Sequence, residues 1–123
     1  MTFRFLPLAE AELLKAISYY SAIRPELGIR FEQAVAEAVR NAIVHPEHGA
    51  PRSKSTRRWL VKSFPFSVIY RAGESEVLIV AVAHQRKKPE YWAAVYADAN
   101  PSFQRAAFGS RSNSNWRGGL GVD

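Results

Sequence analysis

The side chains best suited to chemistry are gathered between residues 51 and 92. Nine basic residues stand there (Arg52, Lys54, Arg57, Arg58, Lys62, Arg71, Arg86, Lys87 and Lys88) against only three acidic ones, Glu74, Glu76 and Glu90. Trp59, Tyr70, Tyr91 and Trp92 are interleaved with them. Cations neutralise phosphate or carboxylate groups, and aromatic rings set among cations stack on bases. Such a stretch suits an acidic or polyanionic partner, although a solvated basic face with no specific partner has the same composition. Trp59 and Tyr70 lie inside strand patterns, so core packing accounts for them first. His84 is the tempting acid–base group, because histidine is the side chain type that ordinarily changes charge near neutrality. It pairs in sequence with no Ser, Cys or carboxylate, so a backbone hydrogen bond at a strand end is the simpler role. His45 and His48 flank Pro46 without further ligands, so neither a metal nor another cofactor is expected.

The net charge of +6 is unevenly spread. Residues 1–50 carry a balance of −1 and residues 51–92 one of +6, and no acidic residue occurs between Glu47 and Glu74. The 123 residues fit one domain with its own core. Hydrophobic residues at 47% and charged ones at 23% exclude wholesale disorder. There is no cysteine, which excludes disulfides, thiolate catalysis and a Cys-based zinc site. Arg4, Glu10 and Glu12 interrupt the apolar N-terminus, which does not read as a signal peptide, and no apolar run is long enough to span a bilayer. A cytoplasmic protein without membrane contact is expected.

The elements that must position the basic stretch follow from periodicity. Residues 2–6 alternate as a first strand. A helix is expected over 8–23, with Pro7 in its first turn, Glu10 and Glu12 near its positive end, and an apolar face of Leu13, Leu14, Ile17 and Tyr20. The Arg24-Pro25 step ends it. A second helix is expected over 26–44 with a stripe of Phe31, Val35, Ala38, Val39, Ala42 and Ile43, and Gly28 there marks a tight turn or a close helix crossing. Residues 46–56 read as a loop. Strands follow at 57–63, 66–72 and 77–83, the last continuously apolar and so central. Pro89 opens a short helix over 89–97, carrying Tyr91 and Trp92, with Trp92 packing it against the sheet. The Gly-, Ser- and Asn-rich residues beyond it predict a disordered tail over 98–123. The fold class is α+β: a strand, a helical hairpin, then a three-stranded antiparallel meander in one small sheet with a short C-terminal helix.

Three segments in this order resemble the RelE/ParE toxin superfamily. LGIRFEQAVAEAVRNAIVHPEHG is similar to that family's second helix, FPFSVIYRA to its FPY-x-I-x-Y strand, and VLIVAVAHQRKKPEYW to its last strand and V-x-H-x-x-R/K-x-P-x-x-W ending. The resemblance covers residues 3–96 within a toxin domain of 1–97. It implies the toxin of a type II toxin–antitoxin module, held as a hetero-oligomer by a cognate antitoxin. Two branches follow. ParE-like members bind and poison DNA gyrase; RelE-like members cut mRNA on the ribosome without metal. Carried onto this chain, the nuclease set is Lys62, Arg71, Arg86 and Tyr91. The nuclease branch has a strand arginine where Ser67 stands here, and Trp92 has no acid–base chemistry, so the ParE-like branch is favoured. The residues implied in target binding are Arg58, Lys62, Arg71, His84, Arg86, Lys87, Lys88, Tyr91 and Trp92.

Overall fold

The computed structural model describes residues 2–52, 55–87 and 91–92. Strand β1 (Thr2–Phe5) leads into helices α1 (Pro7–Ile23) and α2 (Pro25–Val44), followed by strands β2 (Ala50–Pro51), β3 (Arg57–Leu60), β4 (Phe66–Ala72) and β5 (Glu76–His84). Each helix begins on a proline and has no side-chain cap. A proline at the first helical position has no N–H to leave unsatisfied and a φ already suited to the helix. Arg24, extended at φ −156° and ψ 138°, serves as C-cap of α1 and N-cap of α2, so one residue turns the hairpin. Gly28 lies inside α2, which decides its role. A Cβ there would collide with the Ser21 hydroxyl and come within 3.2 Å of the Ile17 carbonyl, so its absence lets the helices pack closely.

The sheet is mixed, with strand order β1-β5-β4-β3-β2. β3, β4 and β5 pair antiparallel in sequence, while β1 returns to pair parallel with β5 from Thr2↔Glu76 to Phe5↔Ile79. Five strands therefore stand where four were expected: β2 forms inside the expected loop, at an edge where Pro51 needs no ladder N–H. The strand expected over 57–63 is shorter than its pattern. β3 stops at Leu60, because Val61 N–H bonds Phe66 O at 2.9 Å and closes a turn in which Ser63 takes φ 74°. The helix expected over 89–97 and the tail over 98–123 fall outside the described residues, except Tyr91 and Trp92, which sit in a turn.

Helices cover one face of the sheet. Phe5, Leu13, Phe31, Val35, Val39, Val68, Tyr70, Val77, Ile79 and Val82 are buried there. Leu14 is exposed, not part of the apolar face of α1; Ala9, Leu13 and Ala16 fill it. Tyr20, Phe31, Phe64 and Phe66 form an aromatic cluster at one end, with Phe31–Phe66 and Tyr20–Phe64 centroids both 4.9 Å apart. The other face carries a smaller cluster of Leu6, Ile69, Val80, Ala81, Ala83 and Trp92. The register shifts by one residue between Ile69↔Ala81 and Tyr70↔Ile79, leaving Val80 as the extra residue of a bulge. Val80 and Ala81 thus share the second face, and Val82 returns to the first.

Tyr70 ties the helical hairpin to the sheet. Its buried hydroxyl donates to Pro46 O at 2.7 Å and accepts from Gly49 N–H at 3.2 Å. A Cβ on Gly49 would strike that hydroxyl and lie 2.9 Å from Arg58 O. Gly49→Ala should therefore lower stability by about 1–3 kcal/mol through overpacking, read as a reduced urea midpoint with an unchanged slope.

Candidate functional site

The predicted site residues divide between two places. His84, Arg86 and Lys87 line a cleft of about 560 Å³ between α1 and the end of β4–β5. Lys15, Tyr19, Ile23 and Phe66 complete much of its wall, and Glu12 is its carboxylate. Tyr19 is 63% and Ile23 55% exposed, so the cleft combines open apolar surface with three cations. Lys62 is exposed in the β3–β4 turn, near this end of the sheet. Arg58 and Arg71 lie elsewhere. Their partners Ile69 and Leu78 belong to the second cluster, which puts both arginines on the face away from the helices. Leu60, 59% exposed, shares that face. Lys88 is outside the described residues.

Arg71 stands apart from the rest of the nuclease set. Arg71 stands opposite Leu78 at one end of the β4–β5 ladder, and Arg86 follows His84, opposite Phe66, at the other. At about 3.3 Å per residue the ladder separates them by roughly 20 Å. Ser67, where that branch has an arginine, is buried between Leu60 and Ala83. Trp92 is 3% exposed among Leu6, Ile69, Val80, Ala81 and Ala83. Its indole packs within that cluster. The Nδ1 of His84 accepts the Arg86 N–H at 3.0 Å, the backbone bond expected of it. His45 and His48 stack with centroids 5.2 Å apart, and among the described residues no group of three or more His, Asp or Glu is placed to hold a metal.

Glu12 carries a role that its sequence position did not disclose. One carboxylate oxygen accepts Val82 N–H at 2.9 Å, and the other accepts the Tyr91 hydroxyl. Lys87 Nζ lies 5.3 Å from the centroid of the Tyr91 ring, within cation–π range. Burial raises the Glu12 pKa; the Tyr91 and Val82 bonds and the Lys87 charge offset part of that rise. Burial, then the bond to Glu12, pushes the Tyr91 phenol well above its ordinary range. Periodicity could not find this contact, because it joins residues 79 positions apart. The one signal was a carboxylate on the flank of the apolar stripe of α1.

The described residues thus form a helical hairpin on a small mixed sheet, with a cationic cleft at one end of it. The family model described as "ParE toxin of type II toxin-antitoxin system, parDE" matches residues 3–89, and the chain belongs to that family. It is thus the toxin component of a type II toxin–antitoxin system. Among solved structures, "Chromosomal ParDE TA system from P. aeruginosa" is similar at 23% identity and TM-score 0.60, covering 68% of this chain and 95% of that one. No curated protein matches by sequence. Among the described residues, no helix is long and apolar enough to cross a membrane.

The raised Glu12 pKa has a stability consequence of definite sign. Below pH 4.5, the ordinary value, Glu12 is largely protonated in both folded and unfolded chains. As pH rises through the higher folded value, the unfolded chain releases its proton first and the folded state loses stability. The stability of the wild type relative to Glu12→Gln should accordingly fall as pH rises across that window, measured by urea midpoints. A margin that grows with pH would show that the hydrogen bonds outweigh burial.

Proposed function

We propose that the chain inhibits DNA gyrase by binding, without catalysis, and that a cognate antitoxin neutralises it by covering the same surface. The observation that supports this reading is the separation of Arg71 from Arg86 in a ParE-family chain. Cutting RNA without metal needs one group to help the 2′-hydroxyl attack, one to stabilise the charged phosphate and one to protonate the leaving oxygen, all within reach of a single bond. Arg71 and Arg86 stand at opposite ends of a ladder. Tyr91 already gives its proton to Glu12 in a hydrogen bond, and its raised pKa makes it a poor acid. Binding needs no such convergence. Arg86 and Lys87 beside the cleft, with Lys62 and His84, supply a cationic surface at one end of the sheet, and Arg58 and Arg71 supply a second on the far face. We place target binding on the first group, because exposed apolar surface accompanies it.

The antitoxin reading rests on the same chemistry. Lys15, Arg86 and Lys87 beside exposed Tyr19 and Ile23 suit a segment that alternates acidic and aliphatic residues. The proposed compartment is the cytoplasm, where gyrase and its DNA are found.

Purified chain should stop gyrase from supercoiling relaxed plasmid. The double variant Arg86→Glu/Lys87→Glu should need at least about tenfold more protein for the same effect, a loss of roughly 1.4 kcal/mol in binding, while Arg58→Glu/Arg71→Glu should stay close to wild type. Undisturbed supercoiling at a large excess of chain refutes the gyrase assignment. Codon-positioned cuts in translated mRNA, mapped by primer extension, would establish the nuclease branch instead.

A further inference from the structure

Among the described residues Ser63 alone has a positive φ, at 74°. A side chain in the left-handed region is crowded by its own backbone, and it persists there only where its neighbours over-determine it. Both flanks of Ser63 are fixed. Val61 is buried in the cluster under the helices, and the Phe64 ring lies edge-on to Tyr20 and Phe31, with centroids 4.9 and 5.2 Å away. Val61 N–H bonds Phe66 O at 2.9 Å, Phe64 N–H bonds Val61 O at 3.2 Å, and Phe66 N–H bonds Phe64 O at 2.8 Å. Lys62 and Ser63 form the exposed tip of this turn. The turn after β5 is built on it. Gln85 N–H donates to Pro65 O at 2.9 Å, which carries the β4–β5 ladder one pair beyond Phe66↔His84. The His84 ring lies edge-on to Phe66, centroids 5.0 Å apart. His84 accepts Arg86 N–H at Nδ1 and Lys87 N–H at its carbonyl, both at 3.0 Å. A line of contacts therefore runs from the aromatic cluster through Phe64, Pro65 and Phe66 to the backbone of Arg86 and Lys87. Residues 61–66 and 84–87 contain no acidic side chain.

From this geometry we infer that Ser63 is a positioning residue of the target-binding surface: its left-handed conformation presents Lys62 and, through the Pro65–Gln85 bond, sets the turn that carries Arg86 and Lys87, so that the three cations form one preformed platform. This rests on the gyrase reading and adds to it an uncharged residue that acts through others. Cations held on a fixed backbone lose less freedom on binding than cations on loose turns, so preforming the platform strengthens contact without adding charge. His84 is the second member of the device. Its Nδ1 fixes the Arg86 backbone, and Phe66 fixes its ring. The role of Ser63 is separable from charge, because an uncharged replacement that opens the turn leaves the net charge at +6 while displacing the cations.

Two measurements on the full chain test this together: amide exchange at Gln85 by NMR, and the concentration that half-inhibits gyrase supercoiling. Valine is strongly disfavoured at positive φ, so Ser63→Val should speed Gln85 exchange and raise the half-inhibitory concentration, each about tenfold, while amides of α2 keep their protection. Ser63→Gly, which enters the left-handed region without a Cβ, should match wild type in both readouts. His84→Leu removes the acceptor for Arg86 N–H and should weaken inhibition about tenfold, whereas His84→Asn keeps an acceptor and should restore it. Unchanged Gln85 exchange in Ser63→Val overturns the inference, and so does fast exchange with undiminished inhibition. If Ser63→Val also loses protection in α2, the His84 pair decides, and equal inhibition by His84→Leu and His84→Asn overturns the inference. A wild-type chain that inhibits gyrase while all four variants match it removes this inference alone. A wild-type chain that leaves gyrase undisturbed removes the gyrase reading, and this inference with it.

Discussion

Everything in this fold is built to bury β5 completely. Its run of Val77 to Ala83 is apolar on both sides, and a strand of that kind is stable only when both faces and both edges are covered. Helices α1 and α2 cover one face, and Leu6, Ile69 and Trp92 cover much of the other. β4 occupies one edge throughout. The remaining edge takes two devices, β1 along the first half and the Glu12 carboxylate at Val82. An unpaired buried N–H costs about 1–3 kcal/mol, which explains why a carboxylate is held there despite its desolvation. The position of α1, the turn at Pro7 and the docking of Tyr91 all answer to this strand.

Much of this was legible from local pattern. The two helices, the alternation of Phe66, Val68 and Tyr70 toward the core, the central place of the apolar strand and the family itself could be read because they rest on spacing within single elements. What could not be read depends on distant partners. β2 exists only because Ala50 and Pro51 meet Arg58 and Arg57. Leu14 looks apolar but points away from the sheet, since the angle of α1 is set by Ala9, Leu13 and Ala16. In the site, the basic residues were identifiable and their separation was not: the strand that carries Arg71 and the turn that carries Arg86 were visible, but nothing local said that they face different regions. Trp92 was legible as a packing residue and also entered the binding set by resemblance; burial supports the packing role.

The cationic cleft is therefore a by-product of how the sheet ends. The cleft opens where β1 stops short, its cations come from the turn after β5, and its carboxylate is the group that seals the strand. A toxin that acts by contact needs such a surface to be both coverable and uncoverable.

The parallel pairing of β1 with β5 also has a consequence during synthesis. Thr2 meets Glu76 and Phe5 meets Ile79, so the first strand to leave the ribosome waits for the last one before it can pair. Until then Phe3 and Phe5 have no sheet to join, and the α1–α2 hairpin has only half a floor. Contacts this remote in sequence form slowly. The nascent chain thus passes through an interval in which its hairpin is made and the cleft between α1 and the end of β4–β5 is not.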